Sequence, residues 1–96
     1  MKRAVLSPRA QADIEDIWDY TARLWDADQA ERYVSDLRRA IELVAADPRC
    51  GTKCDDIRAG YFKYLAGSHV LFFKSTRNGI DIVRILHASM DFGQHL

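Results

Sequence analysis

The chain has 96 residues, of which 48% are hydrophobic and 29% charged, and its formal net charge is zero. This length suits a single domain over residues 1–96 with one modest core, and the composition argues against disorder across the chain. No apolar run reaches the roughly 18 residues that a membrane helix needs, and the first residues lack the apolar stretch of a signal peptide, so we expect a cytoplasmic protein without direct membrane contact.

A short strand and a first amphipathic helix are predicted at the start of the chain. The stretch RAVL, residues 3–6, has strand character, and Ser7-Pro8 is typical of a helix start. Serine can accept hydrogen bonds from the free N–H groups of the first turn, and proline fits the first helical position. Apolar residues then recur every three or four positions, which predicts a helix ending near Trp25. Trp18 and Trp25, seven residues apart, are expected in the core.

A second helix follows at once and completes a helical hairpin. Asp26 can cap it, with Gln29 three residues later in the manner of a capping box. An apolar stripe at helical spacing runs from Ala30 to Ala45, and Pro48 ends the helix by disfavouring helical backbone at the residue before it. Two such helices joined by a short turn form an antiparallel hairpin whose apolar side must be covered.

The second half of the chain predicts three antiparallel strands over residues 61–66, 69–75 and 80–87. Gly67-Ser68 and Asn78-Gly79 are turn signals between them. The last two strands carry apolar residues on both faces, which is typical of strands covered on both sides. We therefore expect an α+β fold of order βααβββ, with a helical hairpin packed on a small, mainly antiparallel sheet. The other face of this sheet is left for a partner or for the C-terminal segment SMDFGQHL.

The charges are divided unevenly along the sequence. Residues 8–47 contain ten acids and five bases, a net charge of −5, whereas the rest contains nine bases and four acids, a net charge of +5. This division fits either a basic face for an acidic partner or an acidic, solvated helix face beside an ordinary sheet. Zero net charge argues against strong nonspecific nucleic-acid binding.

Two cysteines, Cys50 and Cys54, lie in one loop with three residues between them. No second cysteine pair is present to complete a zinc site, so we interpret them as a reduced pair and expect neither a metal nor another cofactor.

The most specific motif is IVRILHASMD near the end of the chain. Together with LSPRAQADIEDIWDY, GSHVLFF and the βααβββ order, it resembles the ParE branch of the RelE/ParE toxins of type II toxin-antitoxin systems, over essentially the whole chain. The motif residues are Arg84, Leu86, His87, Met90 and Asp91. Ser89, Phe73 and Phe62 depart from the pattern, since ParE-like sequences often carry Arg, Tyr and Arg at these positions.

The resemblance implies a bacterial growth inhibitor that poisons DNA gyrase. It also implies a ParD-like antitoxin whose C-terminal segment wraps the toxin, and thus a hetero-oligomer. Arg84, His87, Met90 and Asp91 are then the expected toxicity residues. For the antitoxin, we predict a helix with apolar anchors in the groove between hairpin and sheet, and contacts to Tyr20, Arg58, Tyr61, Lys63 and Phe73.

Two other functions stay open. In the sister RelE branch the toxin cleaves messenger RNA on the ribosome, which would require a base such as His87 or His69 and a cation such as Arg84. Strand alternation puts Arg84 on the opposite face from His87, which argues against this pair, and His87 can equally be a structural histidine bonded to backbone at the strand end. The third possibility is a nontoxic interaction module.

Overall fold

Two long helices and a five-stranded sheet make up most of the fold. The computed structural model describes residues 2–96. The elements are β1 (Arg3–Leu6), α1 (Pro8–Leu24), α2 (Ala27–Ala46), β2 (Thr52–Lys53), β3 (Phe62–Ala66), β4 (His69–Thr76), β5 (Gly79–His87) and α3 (Phe92–His95), with a single 3-10 turn at Pro48–Cys50. The predicted α+β class and the βααβββ order are confirmed, and β2 and α3 are additions that the sequence patterns did not indicate.

Both long helices begin at the residues that their sequences predict. The Ser7 hydroxyl accepts a hydrogen bond from the Ala10 N–H at 3.0 Å. The Asp26 carboxylate accepts one from the Gln29 N–H at 2.7 Å. Ser7 has a second role, because its hydroxyl also donates to the Val83 carbonyl at 2.8 Å and so ties the start of α1 to β5.

The sheet has the order β1-β5-β4-β3-β2. The predicted meander of β3, β4 and β5 is antiparallel, whereas β1 pairs with β5 in parallel. This parallel pairing ends at Leu6 opposite Ile82, so the rest of β5 has no strand on that side. A β-bulge lies at the same place, since Phe72 pairs with Arg84 while Phe73 pairs with Ile82, which leaves Val83 as the extra residue.

The main core lies between the two long helices and one face of the sheet. Its buried members include Ile14, Ile17, Leu37, Ile41, Val44, Leu71, Phe73, Ile80, Ile82 and Ile85. Trp18 packs at the border of this core, but the prediction for Trp25 is wrong, because its side chain is 71% exposed. Trp25 is the C-cap of α1, and its non-helical backbone takes it out of the apolar stripe.

The outer face, which is the sheet face opposite α1 and α2, carries a second and smaller apolar cluster. Its buried residues are Cys54, Val70, Phe72 and Leu86. The loop before β3 covers this cluster with Ile57 and Tyr61, and the C-terminal strap, residues 90–96, covers it with Phe92 and Leu96. The sequence predicted that either a partner or the C-terminal segment covers this face, and in the structure the C-terminal segment does so. Across residues 2–96, no helix combines the length and apolarity that crossing a bilayer would require.

Candidate functional site

A cleft of about 510 Å³ lies between α1 and the ends of β4 and β5. Seven of the residues that the sequence singled out line it, namely Tyr20, His69, Arg84, Leu86, His87, Ser89 and Met90. Asp13, Asp16 and Ile17 complete its α1 wall. Helix α1 thus supplies one side of the site and the motif at the end of β5 supplies the other.

His87 is held by the residue that follows the strand. The Ser89 N–H donates to His87 Nδ1 at 3.1 Å, and Ser89 Oγ lies 2.7 Å from the same nitrogen. Because a backbone N–H can only donate, Nδ1 accepts, and the proton of the neutral ring lies on Nε2. One ring nitrogen therefore makes the backbone bond that the structural interpretation predicted, and the other offers an N–H.

His69, which pairs with His87 on the neighbouring strand, is held by Tyr33 of α2. The Tyr33 hydroxyl accepts the Ser68 N–H at 3.0 Å and lies 2.6 Å from His69 Nδ1. The hydroxyl has one proton to donate and a second lone pair with which to accept, so it can bond either tautomer of the His69 ring. Burial lowers the pKa of His69, and His87 lowers it further, against an opposite effect of Asp13. The two imidazole rings are edge to face, with centroids 5.3 Å apart.

Arg84 makes a bidentate ion pair with Asp13 of α1. Its Nε and Nη2 donate to the two carboxylate oxygens at 2.8 and 2.9 Å, and the side chains are only 13% and 12% exposed. Asp13 also accepts the Ile85 N–H at 2.9 Å, which lies on the part of β5 that β1 does not reach. The hydrogen bonds that Arg84 donates to Asp13 raise the pKa of Arg84 above its already high value.

The prediction that alternation separates Arg84 from His87 is wrong for their side chains. The register does place Arg84 opposite Phe72, which belongs to the outer face. However, the open edge of β5 lets the guanidinium pass around the strand to Asp13, so Arg84 and His87 line the same cleft. Within residues 2–96, the hydrogen bonds of Arg84 go to Asp13 and to the His95 carbonyl, and none goes to His87.

The other two predicted toxicity residues are placed differently from each other. Met90 is exposed and lines the cleft. Asp91 lies outside the cleft lining and caps α3, where its carboxylate accepts the Gly93 N–H at 3.1 Å. Asp91 therefore has a local structural role at the start of the strap.

The residues predicted to contact an antitoxin lie in three separate environments. Tyr20 is 59% exposed beside the cleft. Tyr61 lies on the outer face, with the Arg58 guanidinium 5.7 Å and the Lys74 ammonium 5.3 Å from its ring centroid, and Lys63 shares this face because it pairs with Phe72. The prediction for Phe73 is wrong: its side chain is fully buried under the helices and is not available to a partner.

Sequence reasoning missed Asp13, which it treated as part of a charged helix face. The signal was present, because Asp13 follows Ala10 by three residues and precedes Ile17 by four, and both of these residues are buried. A carboxylate at a buried-stripe position indicates a buried cationic partner. Within residues 2–96, no three His, Cys, Asp or Glu side chains are grouped as metal ligands.

Comparison with known proteins identifies the class of fold. The structure is similar to a chain of the chromosomal ParDE TA system from P. aeruginosa, with a TM-score of 0.79 and 19% identity over 91% of this chain and 96% of that chain. It is also similar to a chain of the YoeB-YefM complex from Staphylococcus aureus, with a TM-score of 0.62 and 13% identity over 91% and 97% of the two chains. At these identities the likeness concerns the fold, which is the RelE-like toxin fold.

Sequence comparison gives the family. Residues 4–92 match the model for the ParE toxin of type II toxin-antitoxin system, parDE. The chain is 53% identical over 95 residues to Toxin ParE1 of Mycobacterium tuberculosis, which covers 98% of this chain and 97% of that protein. It is 41% identical over 96 residues to Toxin ParE1 of Caulobacter vibrioides, which covers 100% and 99%. The chain belongs to the ParE toxin family of type II toxin-antitoxin systems, and the resemblance seen in the sequence is confirmed.

Proposed function

We propose that this toxin inhibits growth by binding DNA gyrase, and that a ParD-like antitoxin neutralises it by occupying the cleft. Membership of the ParE family supports the toxin assignment. The state of the polar groups in the cleft supports binding over catalysis. Since gyrase acts on the bacterial chromosome, the proposal also places the protein in the cytoplasm.

The observation that carries the proposal is that His69, His87 and Arg84, the residues that catalysis would require, are already bonded within the protein. RNA cleavage would need an unprotonated nitrogen to activate a ribose hydroxyl and a cation for the developing phosphate charge. The Nδ1 atoms of His69 and His87 are each already bonded within the protein, to the Tyr33 hydroxyl and to Ser89. The Arg84 charge is paired with Asp13. The predicted bases and the predicted cation are thus already bonded within the protein, which favours recognition over catalysis.

The apolar residues of the cleft provide the complementary part of a docking site. Tyr20 and Met90 are exposed there, next to the more buried Ile17. Exposed aromatic and methionine side chains beside a few fixed polar groups are typical of interface anchors. A target or antitoxin segment can bury these side chains and accept a hydrogen bond from the Nε2–H group of His87.

For the antitoxin, the two faces of the sheet suggest two kinds of contact. An amphipathic helix would insert apolar anchors between α1 and the end of β5, beside Tyr20. Acidic residues of the same partner would meet the basic surface around Tyr61 on the outer face, formed by Arg58, Lys63 and Lys74. The complex is then a hetero-oligomer in which the antitoxin wraps around one end of the domain.

One observation favours ribosome-dependent RNA cleavage as a second candidate. The cleft does bring His69, His87 and Arg84 together, which are the residues that this alternative requires. For the histidines to act as bases there, the Nδ1 bonds to Tyr33 or Ser89 would have to break first. The two functions are therefore distinguished by what the toxin changes, which is plasmid supercoiling in one case and the length of messenger RNA in the other.

The test is plasmid supercoiling by purified gyrase with increasing amounts of toxin, run beside an in vitro translation reaction probed for cut messenger RNA. We expect loss of supercoiling or trapped cleaved plasmid, together with intact RNA. His87→Phe keeps a ring but removes the Nε2–H donor and should weaken inhibition. Arg77→Gln, in the turn before β5 and so at the opposite end of that strand, is the matched control. Cut RNA with normal supercoiling would move the protein to the RelE type of activity.

A further inference from the structure

One ion pair connects the cleft with the outer face of the sheet. Arg84 holds Asp13 of α1 with Nε and Nη2, and its Nη1 donates to the His95 carbonyl of the C-terminal strap at 3.1 Å. Asp13 lines the cleft, whereas the strap covers the outer face. The guanidinium is therefore shared between two elements on opposite sides of β5.

The strap has little secondary structure to hold it in place. Its helix α3 spans only four residues, a length at which a helix is not stable by itself. Phe92 packs edge to face on Phe72, with ring centroids 4.8 Å apart, and Leu96 joins the same apolar cluster. Two arginines fix its backbone, since Arg58 Nη1 donates to an oxygen of Leu96 at 2.8 Å and Arg84 donates to His95.

Asp13 is suited to fix the orientation of Arg84. Its carboxylate accepts three hydrogen bonds, two from the guanidinium and one from the Ile85 N–H. A bidentate pair sets the plane of the guanidinium, and that plane aims Nη1 at the strap. An asparagine here would remove the charge and turn an N–H₂ group toward these donors.

We propose that Asp13 is a positioning residue of the toxin: through Arg84 it holds the C-terminal strap over the outer face, so a cleft residue controls access to Phe72 and Leu86. The proposal goes beyond the proposed function and does not depend on the target or on the antitoxin. It concerns the isolated toxin, and the experiment uses that protein without partners.

Cys54 provides a reporter for the position of the strap. It is fully buried in the outer cluster, against which Ile57 and Tyr61 of the loop and Phe92 and Leu96 of the strap pack, whereas Cys50 is exposed. Burial raises the pKa of the Cys54 thiol, and a thiol reagent needs the thiolate, so labelling requires an opening of this region. A Cys50→Ser background leaves Cys54 as the one remaining cysteine of the sequence.

The experiment compares Cys54 labelling rates in Asp13→Asn and Asp16→Asn proteins. Asp16 lies on the same helix, lines the same cleft and makes no ion pair within residues 2–96, so it controls for loss of a carboxylate. We expect labelling to be faster by about tenfold or more in Asp13→Asn, equivalent to ~1.4 kcal/mol of opening free energy, and unchanged within about twofold in Asp16→Asn. The faster rate should depend weakly on urea, because a local opening exposes little surface.

A second variant separates strap release from loss of the fold. Arg84→Lys keeps a positive charge beside Asp13 but has no second nitrogen to reach His95, so it should also raise the labelling rate while the protein stays folded. The proposal is overturned if Asp13→Asn and Asp16→Asn label at the same rate. It is equally overturned if the Cys54 labelling rates of both Asp13→Asn and Arg84→Lys rise with urea as steeply as global unfolding does. Neither measurement uses gyrase or antitoxin, so a failed gyrase assay leaves this result intact.

Discussion

Tyr20→Ala should weaken antitoxin binding far more than it weakens the fold. The tyrosine is 59% exposed on α1 beside the cleft, and its hydroxyl makes no hydrogen bond within residues 2–96. The part of the tyrosine that is already buried, about 80 Å², corresponds to ~2 kcal/mol as an upper bound, and the higher helix propensity of alanine offsets part of this, so we expect the free energy of unfolding to fall by less than about 1 kcal/mol. A large effect on affinity would then report a contact made in the complex.

The size of that effect follows from the surface that remains to be buried. A tyrosine offers roughly 200 Å², so the exposed fraction is about 120 Å², which at ~25 cal/mol per Å² corresponds to ~3 kcal/mol as an upper bound. Part of this is offset by ordering of the side chain on binding. We therefore expect a loss of about 2 kcal/mol, or roughly a 30-fold weaker complex.

The assay is calorimetric titration of the toxin with the antitoxin with which it co-purifies, beside urea unfolding of the toxin alone. Leu43→Ala is the matched control, because Leu43 is 54% exposed on α2 and lies outside the cleft lining. It should leave the affinity within about twofold of that of the parent protein. If Tyr20→Ala and Leu43→Ala lower the affinity equally, or if neither does, the cleft is not where the antitoxin binds.

Two further predictions concern stability. The pKa of His69 is lowered from its ordinary value of 6.5, so the unfolded chain takes up a proton more readily than the folded protein. The free energy of unfolding should therefore be fully retained above about pH 7. It should fall as the pH drops through 6.5 toward the pKa of the folded state. His69→Gln should flatten this dependence in urea titrations between pH 5.5 and 7.5, and an unchanged slope would contradict it. Phe72→Ala removes a fully buried ring that contacts Phe92 and should cost about 3–5 kcal/mol by chemical denaturation, whereas a cost below 1 kcal/mol would mean that the outer cluster is loosely packed.

The sequence was a good guide wherever the signal was local. Ser7 and Asp26 cap the helices as their side chains predict, and the runs of apolar residues in β4 and β5 mark strands covered on both sides. These features depend on hydrogen bonds over three residues or on periodicity within one element. Family resemblance supplied what local patterns lack, namely how the helices and strands are arranged in the fold.

Features that depend on contacts across the fold were missed. The parallel pairing of β1 with β5 joins residues that are about 76 positions apart, and no local pattern encodes it. The prediction that Phe73 contacts the antitoxin failed because its strand is apolar on both faces, and alternation alone does not reveal which face the helices cover. The bulge at Val83 likewise changes which residues of β5 share a face, so Ile82 and Ile85 both enter the main core.

The short length of β1 explains why the cleft exists at all. Because β1 stops opposite Ile82, the Ile85 N–H has no strand partner, and Asp13 of α1 accepts it instead. The same carboxylate then draws the Arg84 guanidinium around the open edge, away from the outer face to which its register assigns it. A β1 longer by two or three residues would pair with this edge and displace Asp13. The edge of β5 that lacks a strand is thus the common origin of the cleft, the buried ion pair and the attachment of the strap.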